Sequence, residues 1–213
     1  MSEGRRLPVY LVLDTSGSMQ GEPIEQVSQG VQEVVNDLRS DPQALETAYL
    51  SVITFSSSAQ QVCPLTELLT FQPPSLNADG GTDLGDAIKV LLQSINKEVV
   101  KGSPTQKGDW RPLVFIFTDG NFQPGWEAAA DSLKSQKVGN IIACIAGSQS
   151  DAKSLKRITE TVFSLANMQP DSLKQFFKFV SSSIKMTSQA VNQPTAGAPI
   201  NLPPPTGAIQ IIP

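Results

Sequence analysis

Two apolar runs in this chain each lead into a carboxylate, and no other feature constrains the fold as strongly. Leu7–Asp14 reads Leu-Pro-Val-Tyr-Leu-Val-Leu-Asp, and Leu113–Phe117 reads Leu-Val-Phe-Ile-Phe before Thr118, Asp119 and Gly120. A strand without a polar face must be covered on both sides, as in a parallel sheet held between two helical layers. Ala48–Phe55, Asn140–Ala146 and Val162–Leu165 read as further strands of this kind, and residues 61–69 as a short edge strand or hairpin partner. Between them lie segments with helical spacing. Pro23 opens one with Ile24, Val27, Val31, Val34, Val35 and Leu38 on one face, and a second carries Leu84, Ile88, Leu91, Leu92, Ile95 and Val99. Shorter helices are expected around Trp126–Leu133 and Ala152–Ile158, and a terminal one after Pro170 with Leu173, Phe176, Phe177, Val180 and Ile184. The alternation predicts an α/β fold, a mostly parallel central sheet with helices on both faces and one short antiparallel edge strand.

A chain of 213 residues holds one such domain with a well-buried core, and two would both be small. The domain is expected over 1–186. From Thr187 onward the composition turns to Gln, Asn, Pro, Thr, Ala and Gly, so 187–213 reads as a Pro-rich linker or flexible tail, with Ile209, Ile211 and Ile212 loosely held.

Composition removes whole classes of chemistry. There is no histidine, which excludes a Ser-His-Asp triad and takes away the commonest general base. Two cysteines, Cys63 and Cys144, cannot make a four-ligand structural zinc site without histidine. They stand far apart in apolar segments, read as buried small hydrophobes, and point to a reducing cytoplasm rather than to a disulfide framework. A net charge of -4, with no basic run longer than the doublets Arg5-Arg6 and Lys156-Arg157, gives no nucleic-acid footprint. No run approaches the roughly 20 apolar residues of a membrane span, so no membrane insertion is expected. Any metal here must be hard and oxygen-bound.

The sequence supplies oxygen ligands where an open parallel sheet binds its ligands, beyond the carboxyl ends of the strands. Asp14-Thr15-Ser16-Gly17-Ser18 sets a carboxylate and two hydroxyls at alternate positions, and Gly17 allows the sharp turn that aims all three at one point. Gly80-Gly81-Thr82-Asp83 offers another hydroxyl, and Asp119-Gly120 a second carboxylate. Asp14, Ser16, Ser18, Thr82 and Asp119 are therefore the expected metal ligands, with Mg²⁺ the expected ion and Mn²⁺ or Ca²⁺ as alternatives. Two carboxylates neutralise the ion while three hydroxyls add no charge, so it stays attractive to an incoming Asp or Glu. Met19, Asn121, Phe122 and Gln123 flank the ligands and form the expected rim of a partner surface. Asp83 and Asp86 read instead as a helix-start pair, and Trp126 as a core residue.

The set Asp14-Thr15-Ser16-Gly17-Ser18, Thr82 and Asp119 resembles the metal-ion-dependent adhesion site of von Willebrand factor A domains. The resemblance runs from about Leu7 to Ile184 and implies a Rossmann-like sheet, Mg²⁺, and a partner's acidic side chain on the metal. Gly80-Gly81-Thr82-Asp83-Leu84-Gly85-Asp86-Ala87 and Thr118-Asp119-Gly120 look like the bacterial TerY type associated with tellurite resistance and stress signalling. That likeness implies a protein kinase and a metal-dependent protein phosphatase as partners. Many such proteins continue into a cysteine-rich metal-binding segment, which this sequence lacks, so its proline-rich end is expected to be the start of a linker.

Two other readings compete. Asp14, Thr15 and Ser16 are also favoured helix-capping and turn residues. Metal beside strand-end carboxylates is also how Mg²⁺-dependent phosphoryl-transfer or hydrolytic enzymes begin. Ser16, however, stands where one large phosphatase class has the second Asp of Asp-x-Asp, and no base or lysine clamp accompanies the set. The expectation is a non-enzymatic interaction module.

Overall fold

A computed structural model describes residues 5–105, 107–136, 138–146, 149–190, 202–205, 207 and 209–212. In chain order the elements are β1 (Leu7–Asp14), α1 (Glu22–Arg39), α2 (Pro42–Thr47), β2 (Ala48–Phe55), β3 (Ala59–Glu67), α3 (Leu84–Glu98), β4 (Leu113–Thr118), α4 (Glu127–Gln136), β5 (Asn140–Ile145), α5 (Gln149–Leu155), β6 (Val162–Leu165), α6 (Pro170–Ala190) and β7 (Ile209–Ile211). They build one seven-stranded sheet in the order β3-β2-β1-β4-β5-β6-β7. The strands from β2 through β1, β4 and β5 to β6 are parallel, and β3 is antiparallel to β2.

The two core layers follow from the period-2 alternation of a strand. Leu7, Val9, Leu11, Leu13, Phe115 and Phe117 face α1 and α6, meeting Val27, Val31, Phe176 and Phe177. Tyr10, Val12, Ile53, Val114 and Ile116 face the other way, toward Ile88, Leu91, Ala130 and Leu133 of α3 and α4. β1 and β4 are buried along their whole length, the reason their sequences show no polar face.

α1 and α6 approach closely because Gly30 has no side chain: a Cβ there would overlap the ring of Phe177, itself 1% exposed. Gly30→Ala is expected to destabilise the protein by about 1–3 kcal/mol despite its better helix propensity, because the packed ring has nowhere to retreat. Urea denaturation checks this. A neutral or stabilising effect would show that the two helices separate freely.

The structure corrects several expectations. The edge strand β3 is nine residues long, not short, and antiparallel pairing occurs at both edges, since β7 pairs antiparallel with β6. Ile209 and Ile212 are 4% and 7% exposed, one in each core layer, so they are packed rather than loosely held. An isoleucine pair among prolines has no periodicity to reveal this. Helix α6 runs past Thr187 to Ala190, while 191–201 lie outside the described residues. Helix α2 was not anticipated, although Asp41 caps it through the Ala44 N–H at 2.9 Å and Pro42 opens it. Cys144 is buried, but Cys63 is only partly so, with its Sγ 3.7 Å from the Gln72 carbonyl. Among the described residues no helix is long and apolar enough to cross a membrane.

Candidate metal centre

In this strand order the chain leaves β1 toward one neighbour and later returns to β4 on the other side, so the loops after β1 and β4 diverge and open a crevice. Asp14 ends β1, and Asp119 follows the last residue of β4. The sheet therefore delivers both carboxylates to the same place.

Backbone hydrogen bonds then tie the neighbouring loops together. Gly17 N–H donates to the Gly80 carbonyl at 2.9 Å, and Asp79 N–H to the Thr15 carbonyl at 2.9 Å, joining the β1 loop to the segment that carries Thr82. Gln123 N–H donates to the Thr82 carbonyl at 3.0 Å, which brings in the β4 loop. The β2–β3 turn completes the frame: the Ser57 hydroxyl accepts from Gly81 N–H at 2.8 Å, and the Ser56 carbonyl from Asp83 N–H at 2.7 Å. Gly80 is needed twice over, for its φ of +75° and because a Cβ would lie 2.5 Å from the Ser57 Oγ.

Within this frame Asp14 is 0% exposed. Its Oδ1 accepts from Ser16 N–H at 2.8 Å and its Oδ2 from the Thr118 hydroxyl at 2.6 Å; Thr118 Oγ1 in turn accepts from Gly120 N–H at 3.1 Å. Burial raises the Asp14 pKa above the usual carboxylate range, opposed by the hydrogen bonds from Ser16 and Thr118 and assisted by the negative charge of Asp119. Ser16 and Ser18 place their hydroxyl oxygens 3.1 Å apart. Thr15, between Asp14 and Ser16, turns away, donating its N–H and hydroxyl to the Phe55 carbonyl at 2.8 and 3.1 Å. Thr82 is buried, Ser16 is buried and Ser18 is exposed, so the cluster deepens from a solvent-facing lip to a closed floor.

Asp119 carries the feature most informative about chemistry. Its Oδ1 is buried and has no hydrogen-bond partner among the described residues. A carboxylate oxygen shut away from water without a donor is costly, and a bound cation is one arrangement that removes the cost. The candidate side chains on the loops joined to this one, Asp14, Ser16, Ser18 and Thr82, offer only oxygen, as a hard divalent cation requires. Among the described residues no group of three or more His, Cys, Asp or Glu forms a metal cluster. The fit therefore rests on two carboxylates helped by hydroxyls, and Asp14, Ser16, Ser18, Thr82 and Asp119 are the residues that fit the group.

The expected rim divides. Asn121 and Gln123 are exposed beside the centre, with Asn121 held at φ 56°. Phe122 is half-buried against Trp126, ring centroids 5.6 Å apart, and Trp126 is 8% exposed, in agreement with a core role. Met19 must be removed from the rim: it is 0% exposed and packs in the core layer under α1. The Gly17–Met19 stretch is a single 3-10 turn, and its tight rotation sends the next side chain after Ser18 inward. Thr118 and Ser57 were missed as structural supports, because a hydroxyl at the end of a strand or in a serine-rich turn carries no distinguishing pattern. Asp83 caps α3 as expected, accepting from Asp86 N–H at 2.9 Å, whereas the Asp86 carboxylate reaches back to Ala59 N–H at 2.7 Å.

Comparison with known proteins agrees with this architecture. The family model of the von Willebrand factor type A domain matches residues 9–188. An uncharacterised protein of Synechocystis sp., sll0103, is 31% identical over a 144-residue alignment that covers 64% of this chain and 30% of that protein. Proximal thread matrix protein 1 from the mussel byssus is similar in structure, with a TM-score of 0.59, 20% identity and coverage of 84% of this chain and 48% of that one. The pilus adhesin SpaC from Lactobacillus rhamnosus GG, in its open conformation, gives a TM-score of 0.67 at 13% identity over 88% of this chain and 31% of its own. The chain thus spans less than half of each of these proteins, and at such identities the two structures speak for the fold alone. With the family model matching residues 9–188, from β1 into α6 and across the loops after β1, before α3 and after β4, the chain belongs to the von Willebrand factor type A domain family.

Proposed function

We propose that this domain is a non-enzymatic protein-interaction module in which Asp14, Ser16, Ser18, Thr82 and Asp119 hold one Mg²⁺ for a partner's acidic side chain. Von Willebrand factor type A domains form a family of protein-interaction modules, and that much belongs to this chain by membership. The observation that carries the metal reading is the buried, unpartnered Oδ1 of Asp119 beside the fully buried Asp14. When bound, the ion supplies a Lewis-acidic position that an Asp or Glu carboxylate can fill. Asp14 and Asp119 balance its charge, the hydroxyls of Ser16, Ser18 and Thr82 complete the oxygen set, and the backbone ties hold the loops in register before any partner arrives. Catalysis lacks its other parts: the ligand-bearing loops contain no Lys or Arg and the chain no His.

The setting we propose is a bacterial cytoplasmic stress-signalling assembly of the tellurite-resistance type, with a protein kinase and a metal-dependent protein phosphatase as partners. What supports it is the likeness of the Gly80–Ala87 and Thr118–Gly120 segments to TerY-type domains. Affinity capture from a bacterial lysate tests the reading. Partner recovery in Mg²⁺ is expected to fall to background with chelator, Asp14→Ala or Asp119→Ala, while circular dichroism shows an intact fold. Equal recovery by wild type and variants in chelator would sink it.

A further inference from the structure

The loops around the candidate centre carry acids and no bases. Residues 14–23, 56–58, 76–86 and 119–126 include Asp14, Glu22, Asp79, Asp83, Asp86 and Asp119, with neither Lys nor Arg. Asp83 and Asp86 are committed to hydrogen bonds within the fold. Asp79 and Glu22 are exposed. Asp79 spends one oxygen on Gly80 N–H at 2.7 Å, while its backbone N–H holds the Thr15 carbonyl, which fixes this carboxylate against the β1 loop. Glu22 opens α1 just beyond the Gly17–Met19 turn. Bases collect at the opposite end of the sheet: Arg5 and Arg6 before β1, Lys97 in the last turn of α3, Lys101, Lys107 and Arg111 before β4, and Lys134 in the last turn of α4. The acids there are largely taken up internally, Asp109 by Arg6 and Val100 N–H, and Glu98 by Tyr10, Gln61 and Leu65 N–H.

This segregation has a consequence for recognition. Two ligand carboxylates already cancel the charge of a divalent cation, so the field met by an approaching partner is set by the remaining acids, of which Asp79 and Glu22 are exposed and Asp83 and Asp86 half-buried. A lone carboxylate approaches a surface that is negative beyond its first contact. We propose that the partner presents its Asp or Glu flanked by Lys or Arg, the acid reaching the centre while the bases meet Asp79 and Glu22. This rests on the adhesion reading above and adds to it the partner's surroundings. Rim charges of this kind act through specificity and association rate, and salt screens them.

Acetylated, C-terminally amidated peptides of one length, each with one central Asp flanked by Lys, Gln or Glu, test the proposal with the full chain. In Mg²⁺ at low salt the Lys-flanked peptide is expected to bind roughly tenfold tighter than the Gln-flanked one, with the Glu-flanked one weakest and the spread shrinking as salt rises. Asp79→Asn with Glu22→Gln is expected to narrow that spread while the variant still shows a Mg²⁺-induced rise in melting temperature. Equal binding of Lys- and Gln-flanked peptides in Mg²⁺ overturns the proposal and leaves adhesion standing. Lys-flanked binding that survives both chelator and replacement of the central Asp by Asn overturns adhesion, as does an absence of Mg²⁺-dependent binding to any peptide, and the proposal falls with it.

Discussion

Asp119→Asn is expected to make the metal-free protein more stable and, at the same time, indifferent to Mg²⁺. The opposite signs follow from one atom. Without a cation, the buried Oδ1 of Asp119 lacks a donor and its charge bears on Asp14. Removing a buried unsatisfied acceptor relieves on the order of 1–3 kcal/mol, and an amide of the same shape donates where the carboxylate only accepts. In chelator the variant is therefore expected to melt a few degrees above wild type. With Mg²⁺ at about a hundred times its dissociation constant, wild type gains about 2.7 kcal/mol, or roughly 5–10 °C, and the variant nothing. Differential scanning fluorimetry in chelator and in Mg²⁺ reads both arms. A variant less stable than wild type in chelator would mean that Asp119 is a structural residue with a partner, not a ligand waiting for one.

The second large effect is a pH dependence seated at Asp14. Its folded pKa is raised, chiefly by burial, so the native state holds that proton more tightly than the unfolded chain. The stability it contributes is fully present below the unfolded carboxylate pKa of about 3.9 and is lost as pH rises through the folded value. Metal-free wild type should therefore lose stability over that interval relative to Asp14→Asn, in which the group cannot ionise. Cation binding runs the other way, because the ligand must be deprotonated. Below the folded pKa of Asp14 the apparent Mg²⁺ affinity is expected to fall about tenfold per pH unit, as calorimetry at successively lower pH would record. An affinity that does not fall as the pH is lowered for as long as the protein stays folded would place the ion away from Asp14.

These effects involve residues that sequence pattern exposes well, and the reason is physical. A central parallel strand cannot hide its burial, since both faces must be apolar; β1, β2, β4 and β6 could thus be bounded to within a residue or so. Asp14 and Asp119 stand out because a charge at the end of such a strand must be doing something other than packing. The hydroxyls proposed as ligands stand out in the sequence only through spacing and through the family likeness, as Ser and Thr are equally at home in turns. What stayed hidden depended on contacts distant in sequence. The docking of Ile209 and Ile212 depends on the open edge of β6, the inward turn of Met19 on a 3-10 rotation, and the role of Thr118 on a hydrogen bond to Asp14 across 104 residues. Each is a tertiary event with no local periodicity to announce it.

The same logic explains why the loops need so many backbone ties. Two carboxylates near one another repel, and the loops holding them must resist opening in the absence of a cation. The Gly17–Gly80, Asp79–Thr15 and Gln123–Thr82 bonds spread that resistance over three segments, so the hydroxyls need not be ordered by the ion itself. Preorganisation of this kind keeps the cost of ordering out of the binding step.

The central claim is that one cation sits among these loops, and anomalous diffraction from a crystal of this protein grown or soaked with Mn²⁺ tests it most directly. The expected result is a single strong anomalous peak bounded by Asp14, Ser16, Ser18, Thr82 and Asp119, absent in Asp119→Asn. No peak at that position at millimolar Mn²⁺, or a peak that persists in the variant, would contradict it.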